Sequence, residues 1–137
     1  MVQANQNLIG SGNVVLLVDD SVDLLQTYGA GLRYFGYEVI TAESCEQALE
    51  RLRTDEKIDL LVSDVIMPDG ETGIYLARQT AQLRPTTPIL MITGHAFGLL
   101  EQLGARKNEF EVLEKPLSVR HLATRIAEMI GRRSVGA

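Results

Sequence analysis

Short apolar runs alternate with amphipathic segments along most of this chain. Strand-like runs with largely apolar cores occur at Val14–Val18, 37–41, Leu60–Asp64, Ile89–Thr93 and 110–113. Between them, apolar residues recur at spacings of three and four, which is the period of a helix with one buried face. Strands without polar alternation are expected where helices cover both faces of a parallel sheet. The pattern therefore predicts a doubly wound α/β domain in which five strands alternate with five helical segments.

Capping and turn residues predict where the helices begin and end. Gly36 ends the first helix, Ser44 begins the second with a capping-box pattern, and Ser118 caps the last. The segment 96–108 contains two glycines, so the fourth helix is expected to be short or irregular.

Length and charge limit the domain organisation and the partners. A chain of 137 residues makes one domain, which we place at residues 13–131 between flexible tails at 1–12 and 132–137. The net charge of −5 argues against direct binding of nucleic acid, which needs clustered basic residues. No apolar stretch is long enough to span a membrane, and the first residues do not resemble a signal peptide. We therefore expect a cytoplasmic protein.

Five polar residues stand where the predicted strands end. They are Asp19, Asp20, Asp64, Thr93 and Lys115. Open α/β sheets build their sites outside the carboxyl ends of the strands, so these side chains are expected to meet in one crevice.

Three carboxylates in one crevice repel each other. Two of them about 4 Å apart cost roughly 4 kcal/mol at an effective dielectric constant of ~20, and a divalent cation removes that conflict most simply. The candidate ligands are all oxygens with no accompanying Cys and His cluster, which favours Mg²⁺ over zinc. Mg²⁺ in turn suggests phosphate, whose remaining oxygens Lys115 and Thr93 could bind while a carboxylate acts as the nucleophile.

Four segments resemble the signatures of the response regulator receiver domain of two-component signalling. They are VVLLVDD, LLVSDVIMPDG, ILMITG and VLEKPL, and the resemblance covers about residues 13–131. It implies a flavodoxin-like fold with strand order 2-1-3-4-5. It also implies a signalling module, rather than a conventional enzyme, that takes a phosphoryl group from a histidine kinase or a histidine phosphotransfer protein and then changes its binding to a partner.

The resemblance assigns the acidic residues to the phosphoacceptor and the metal site. Asp64 would accept the phosphoryl group. Asp20 and Asp64 would bind Mg²⁺ directly, Asp19 would act mainly through water, and the backbone carbonyl of Ile66 would complete the protein ligands. The apolar side chain of Ile66 stands where this family tunes the access of water to the acyl phosphate, which predicts a long-lived phosphoryl group.

The resemblance also assigns a phosphoryl-binding pair and exposes a departure from the family. Thr93 and Lys115 would form the pair, and the peptide bond between Lys115 and Pro116 is expected to be cis. Most receivers carry an aromatic residue three positions before that lysine, but this chain has Val112 there and Phe110 two residues earlier.

The loop sequences are compatible with more than one type of parent protein. The turn PDGETG is longer by one residue than the common form and, together with FEVLEKP, resembles receivers of hybrid histidine kinases. A free-standing receiver and a piece of a longer protein both fit.

Two alternative functions use related chemistry. A haloacid dehalogenase-like phosphatase also combines an Asp nucleophile with Mg²⁺, but it needs aspartates at i and i+2, whereas Asp19 is followed by Asp20 and Ser21. A flavodoxin-like cofactor carrier would need a phosphate loop where this chain has acidic residues. Asp19 and Asp20 could also cap the first helix, a role that is compatible with metal binding.

Overall fold

A single parallel sheet of five strands forms the centre of the molecule. The computed structural model describes residues 9–66, 72–94, 99–106 and 109–136, with residue 99 and residues 133–136 described by their backbone alone. The strands are β1 (Val14–Val18), β2 (Glu38–Ala42), β3 (Leu60–Asp64), β4 (Ile89–Thr93) and β5 (Glu111–Glu114). Their order is β2-β1-β3-β4-β5 and every neighbouring pair is parallel, which confirms the predicted topology.

Helices cover both faces of this sheet. They are α1 (Val22–Tyr34), α2 (Cys45–Leu52), α3 (Gly73–Leu83), α4 (Leu99–Gln102) and α5 (Val119–Gly136). Leu32 of α1 and Leu122 of α5 share one core cluster with alternate residues of the strands, whereas Leu49 of α2 and Leu76 of α3 share another with the intervening ones. The three inner strands β1, β3 and β4 bury both of their faces, which explains their nearly continuous apolar sequences.

Local capping chemistry sets most of the helix boundaries. The Ser44 hydroxyl accepts a hydrogen bond from the Gln47 amide at 3.1 Å, as predicted for the N-cap, and the Gln47 side chain accepts one at 2.9 Å from the amide of Glu43, one residue before the N-cap that a standard capping box would use. Gly36 adopts a φ of 97° just beyond the end of α1, in the left-handed region that favours glycine. The described part of α4 has only four residues, as expected for a short fourth helix; residues 95–98 and 107–108 lie outside the described ranges.

Both ends of the domain extend beyond the boundaries predicted from the sequence. The helix α5 continues to Gly136, so most of the segment assigned to a tail at 132–137 is helical. One oxygen of Glu111 accepts a hydrogen bond from Arg132 at 2.8 Å and the other from Arg125, and this network ties the end of α5 to the start of β5. A contact between residues so far apart in sequence cannot be read from local periodicity.

The segment before β1 is held against the domain from residue 9 onward. Ile9 packs against the core, and the Gly10 amide donates a hydrogen bond to the Phe35 carbonyl at 2.8 Å. These residues therefore belong to the folded domain, although the sequence suggested a loose tail up to residue 12. None of the helices that the structure describes combines the length and the apolarity of a membrane span.

Candidate functional site

Three carboxylates meet where β1 and β3 end. Asp19 and Asp20 directly follow β1, and Asp64 is the last residue of β3. The two strands are parallel neighbours, with Val18 opposite Ser63, so their carboxyl ends lie side by side. Carboxylate oxygens of all three residues lie within 4.8 Å of one another. We name these three residues the acidic cluster.

The members of the acidic cluster differ in their burial. Asp19 is 7% exposed, Asp64 is half-buried and Asp20 is exposed. Burial raises the pKa of the Asp19 carboxyl, and the neighbouring charge of Asp64 adds to this, although a hydrogen bond from the Ser21 amide at 2.9 Å and the charge of Lys115 act in the opposite direction. Ionisation of the Asp19 carboxyl therefore costs more free energy in this cluster than it does in water.

Lys115 supplies the opposing charge in this crevice. It follows β5, and its ammonium nitrogen lies 3.4 Å from one carboxylate oxygen of Asp19 and 3.4 Å from one of Asp64. Burial acts to lower the pKa of Lys115, but the charges of Asp64 and Asp19 and their hydrogen bonds outweigh that effect and raise it. The ammonium therefore stays protonated, and one positive charge faces three carboxylates.

Backbone contacts fix the position of Lys115 relative to β4. The Lys115 amide donates a hydrogen bond to the Thr93 carbonyl at 2.7 Å, and the Lys115–Pro116 peptide bond is cis. Thr93 is the last residue of β4 and is 5% exposed. Because β4 lies between β3 and β5, Thr93 stands at the sheet edge between Asp64 and Lys115.

Ile66 lies just beyond the acidic cluster. Its side chain is 37% exposed, and its backbone forms an isolated antiparallel bridge with Thr72. Residues 67–71, which hold most of the predicted turn, lie outside the described residues.

The donor chemistry of the acidic cluster fits Mg²⁺. All three side chains offer carboxylate oxygens, and the single ammonium of Lys115 leaves an excess of negative charge at the site. A hard divalent cation with oxygen ligands matches both properties.

Two residues that shape this site were missed from the sequence. The Ser63 hydroxyl donates a hydrogen bond to the Asp64 carbonyl at 2.9 Å. The Gly73 amide donates to the Val65 carbonyl at 2.7 Å, which places the start of α3 directly against the end of β3. A lone serine in an apolar strand and a lone glycine before a helix carry no signal of these contacts.

The position of the missing aromatic residue is filled by a packed valine. Val112 lies opposite Met91 of β4 and is half-buried. Val112 and Phe110 both pack against a small core cluster of Val65, Ala77 and Met91, in which Val65 is the residue that follows Asp64. The displaced aromatic ring therefore contacts the same cluster as Val112.

Fold and site together define a doubly wound α/β protein with an acidic crevice at the carboxyl edge of its sheet. The family model of the response regulator receiver domain matches residues 15–127. The chain belongs to this family, and it is a receiver domain of the two-component response regulator type.

Two curated relatives agree with that assignment. The chain is 38% identical over 122 residues to the transcriptional regulatory protein CpxR of Escherichia coli K12, covering 88% of this chain and 50% of that protein. It is 33% identical over 123 residues to the alkaline phosphatase synthesis transcriptional regulatory protein PhoP of Bacillus subtilis 168, covering 90% of this chain and 50% of that protein. The chain thus spans about half the length of these relatives.

A CheY-like receiver domain protein of Methanospirillum hungatei has the same fold. It superposes with a TM-score of 0.82 at 26% identity, covering 93% of this chain and all of the other. None of these comparisons supports the haloacid dehalogenase-like phosphatase considered above.

Proposed function

We propose that this receiver domain accepts a phosphoryl group on Asp64 from a phosphohistidine of a histidine kinase or a histidine phosphotransfer protein. The observation that carries the proposal is the placement of the Lys115 ammonium 3.4 Å from both Asp64 and Asp19, with a third carboxylate close by. Such a site can receive a group that carries several anionic oxygens, because the Lys115 ammonium stands beside the nucleophile and the carboxylates could hold a divalent cation.

Mg²⁺ is the cofactor proposed for this reaction. Asp19, Asp20 and Asp64 would hold it, and the backbone carbonyl of Ile66 would complete the protein ligands, as the resemblance to the family implies. When bound, Mg²⁺ supplies positive charge that binds a phosphoryl oxygen and offsets the repulsion of the carboxylates. The support for this assignment is the all-oxygen donor set and its excess negative charge.

The protein's own residues carry out the transfer in this proposal. An oxygen of the Asp64 carboxylate attacks phosphorus as the bond from phosphorus to the imidazole nitrogen breaks. The electron pair of that bond stays on the imidazole nitrogen, which takes up a proton, and Asp64 becomes an acyl phosphate. The Lys115 ammonium and the Thr93 hydroxyl bind the remaining phosphoryl oxygens. Because the product stays attached to the protein, the reaction acts as a switch rather than as enzymatic turnover.

The phosphorylated state would change the affinity for a protein partner. Val65 directly follows Asp64 and packs in the cluster that Phe110 and Val112 also contact, so a change at Asp64 has a direct packing route to β5. Phosphorylation would shift an existing equilibrium between two conformations of the surface near α4 and β5. The net charge of −5 favours a protein partner over nucleic acid. The location that we propose for this interaction is the cytoplasm.

A phosphorylation assay tests this proposal. The wild type and Asp64→Asn are incubated with acetyl phosphate and Mg²⁺, and the mass of the intact protein is measured. We expect one acid-stable, base-labile phosphoryl group on the wild type and none on Asp64→Asn. Asp23→Asn is the matched control, because Asp23 is an exposed carboxylate in the first turn of α1 and should leave the adduct unchanged.

Three results would contradict the proposal. An unmodified wild type, or an equal adduct on Asp64→Asn, would remove Asp64 as the phosphoacceptor. Steady hydrolysis of diverse phosphate esters would instead support a phosphatase. If the adduct forms as expected, transfer from a panel of phosphorylated histidine kinases then identifies the donor.

A further inference from the structure

The start of α3 presses against the backbone of Asp64 at the one position where the helix has no side chain. A Cβ atom built on Gly73 would lie 2.2 Å from the Asp64 carbonyl oxygen and 3.1 Å from its carbonyl carbon. It would also lie 2.8 Å from the terminal methyl of Met91. Any residue other than glycine must therefore displace the Asp64 peptide or the start of the helix.

The Asp64 carbonyl is also held by a hydrogen bond from the strand itself. The hydroxyl of the fully buried Ser63 donates to it at 2.9 Å. The Gly73 amide in turn donates to the Val65 carbonyl at 2.7 Å, so the helix start is bound to the next peptide of the same chain segment. Packing against Gly73 and hydrogen bonding to Ser63 thus constrain the same peptide unit.

That constraint extends to the carboxylate of Asp64. The side chain is attached at the Cα atom of this peptide, and its oxygen lies 3.4 Å from the Lys115 ammonium. Relief of the contact with an added Cβ requires the separation to grow from 2.2 Å to at least 3.0 Å, a movement of about 0.8 Å. Misplacement of a reacting group by about 1 Å can reduce a rate by about a hundredfold.

We infer that Gly73 and Ser63 are positioning residues for Asp64, which fix its carboxylate against Lys115 through its backbone carbonyl. The inference rests on the proposed phosphoryl transfer to Asp64. Neither residue touches the phosphoryl group in this arrangement. Their contribution is to the geometry of the nucleophile, so it affects the maximal rate of phosphorylation rather than the identity of the acceptor.

A pair of glycine variants tests the inference. Gly73→Ala adds a methyl group against Asp64, whereas Gly10→Ala adds one against the Tyr37 ring at 2.6 Å, near the opposite edge of the sheet. Urea denaturation gives the stability of each variant, and phosphorylation is then followed at saturating Mg²⁺ over a range of acetyl phosphate concentrations. We expect the maximal rate to fall about tenfold or more in Gly73→Ala and to stay within about twofold of the wild type in Gly10→Ala.

A second pair of variants removes atoms instead of adding them, and serves if Gly73→Ala does not fold. Ser63→Ala deletes the hydroxyl that holds the Asp64 carbonyl. Thr80→Val is its control, because the buried Thr80 hydroxyl donates to the Leu76 carbonyl at 2.8 Å within α3. We expect Ser63→Ala to lower the maximal rate several-fold, and Thr80→Val to affect stability alone.

The outcomes separate this inference from the proposed function. A wild type that forms no adduct on Asp64 removes both. A wild type that is phosphorylated removes the inference alone if Gly73→Ala, or Ser63→Ala where the glycine variant does not fold, keeps the maximal rate of its control. A rate loss that follows only the loss of stability, equal in Gly73→Ala and Gly10→Ala, also overturns it.

Discussion

Substitution of Asp20 by asparagine should make the domain more stable than the wild type without divalent cations and less stable than the wild type in excess Mg²⁺. Asp20 is the exposed member of the acidic cluster. Asp19 and Asp64 both contact the Lys115 ammonium, so a change at either would also remove an attractive contact. Asp20→Asn therefore isolates the repulsion in the cluster better than the other two substitutions.

The size of that repulsion follows from the charges around Asp20. The carboxylates of Asp19 and Asp64, with the ammonium of Lys115 between them, present a net charge close to −1. At a separation within 4.8 Å and with solvent close by, one unit of like charge costs about 1 kcal/mol. In the absence of divalent cations, Asp20→Asn should therefore unfold with a free energy about 1 kcal/mol larger than the wild type, which raises Tm by roughly 3 °C for a domain of this size.

Added Mg²⁺ should invert the order of the two proteins. A free concentration of about 100 times Kd stabilises the wild type by about 2.7 kcal/mol through mass action. A variant that binds about a hundredfold more weakly gains only about 0.4 kcal/mol at the same concentration. The wild type should then be more stable than Asp20→Asn by about 1 kcal/mol.

Urea denaturation followed by circular dichroism, in EDTA and in excess Mg²⁺, measures both differences. Asp23→Asn removes the same charge from an exposed position in α1 and should respond to Mg²⁺ as the wild type does. Two results would refute the reasoning. The first is an Asp20→Asn variant that is less stable than the wild type in EDTA, and the second is an equal stabilisation of the two proteins by Mg²⁺.

Three further predictions concern stability and the lifetime of the phosphoryl group. The hydroxyl of the buried Tyr37 donates to the Ala123 carbonyl at 2.8 Å, so Tyr37→Phe should lower the free energy of unfolding by about 1 kcal/mol in urea denaturation. Burial raises the pKa of Tyr37 above its value in the unfolded chain, so the neutral hydroxyl contributes fully to the free energy of unfolding below about pH 10. That contribution is lost as the pH rises further. Urea denaturation across this pH range should show the loss for the wild type but not for Tyr37→Phe. Leu122 is fully buried between α5 and the sheet, and Leu122→Ala should cost about 2 to 5 kcal/mol in the same assay, far more than Leu83→Ala at a 40% exposed position. Ile66→Asn should shorten the lifetime of the phosphoryl group, measured by loss of radiolabelled phosphate, because it replaces an apolar side chain beside Asp64 with one that can bind water.

Each of these has a result that contradicts it. Equal slopes of stability against pH in Tyr37→Phe and the wild type would show that the tyrosine does not titrate differently on folding. Similar losses for Leu122→Ala and Leu83→Ala would mean that burial does not set the cost. An unchanged or slower loss of phosphate from Ile66→Asn would remove the role assigned to its side chain.

Most of the architecture could be predicted because its determinants are local. Strand runs, the Ser44 N-cap and Gly36 each act within a few residues, and the observed boundaries of β2 and β5 differ from the predicted ones by one residue at each end. The length of α5 was underestimated because the ion pair of Arg132 with Glu111 joins separate elements. The same reason explains the ordered segment from Ile9, which packs on a core assembled from several elements.

The sequence by itself determined which chemistry is present at the strand ends. Three carboxylates, a threonine and a lysine after four apolar runs are sufficient to predict one oxygen-rich site, because parallel strands bring their carboxyl ends together. The tertiary structure alone decided how those groups interact. It buries Asp19 while leaving Asp20 exposed, it sets the ammonium of Lys115 at 3.4 Å from two carboxylates, and it places Gly73 against the Asp64 carbonyl. Burial and distances between elements depend on strand order and helix packing, which are properties of the assembled fold and not of any one segment.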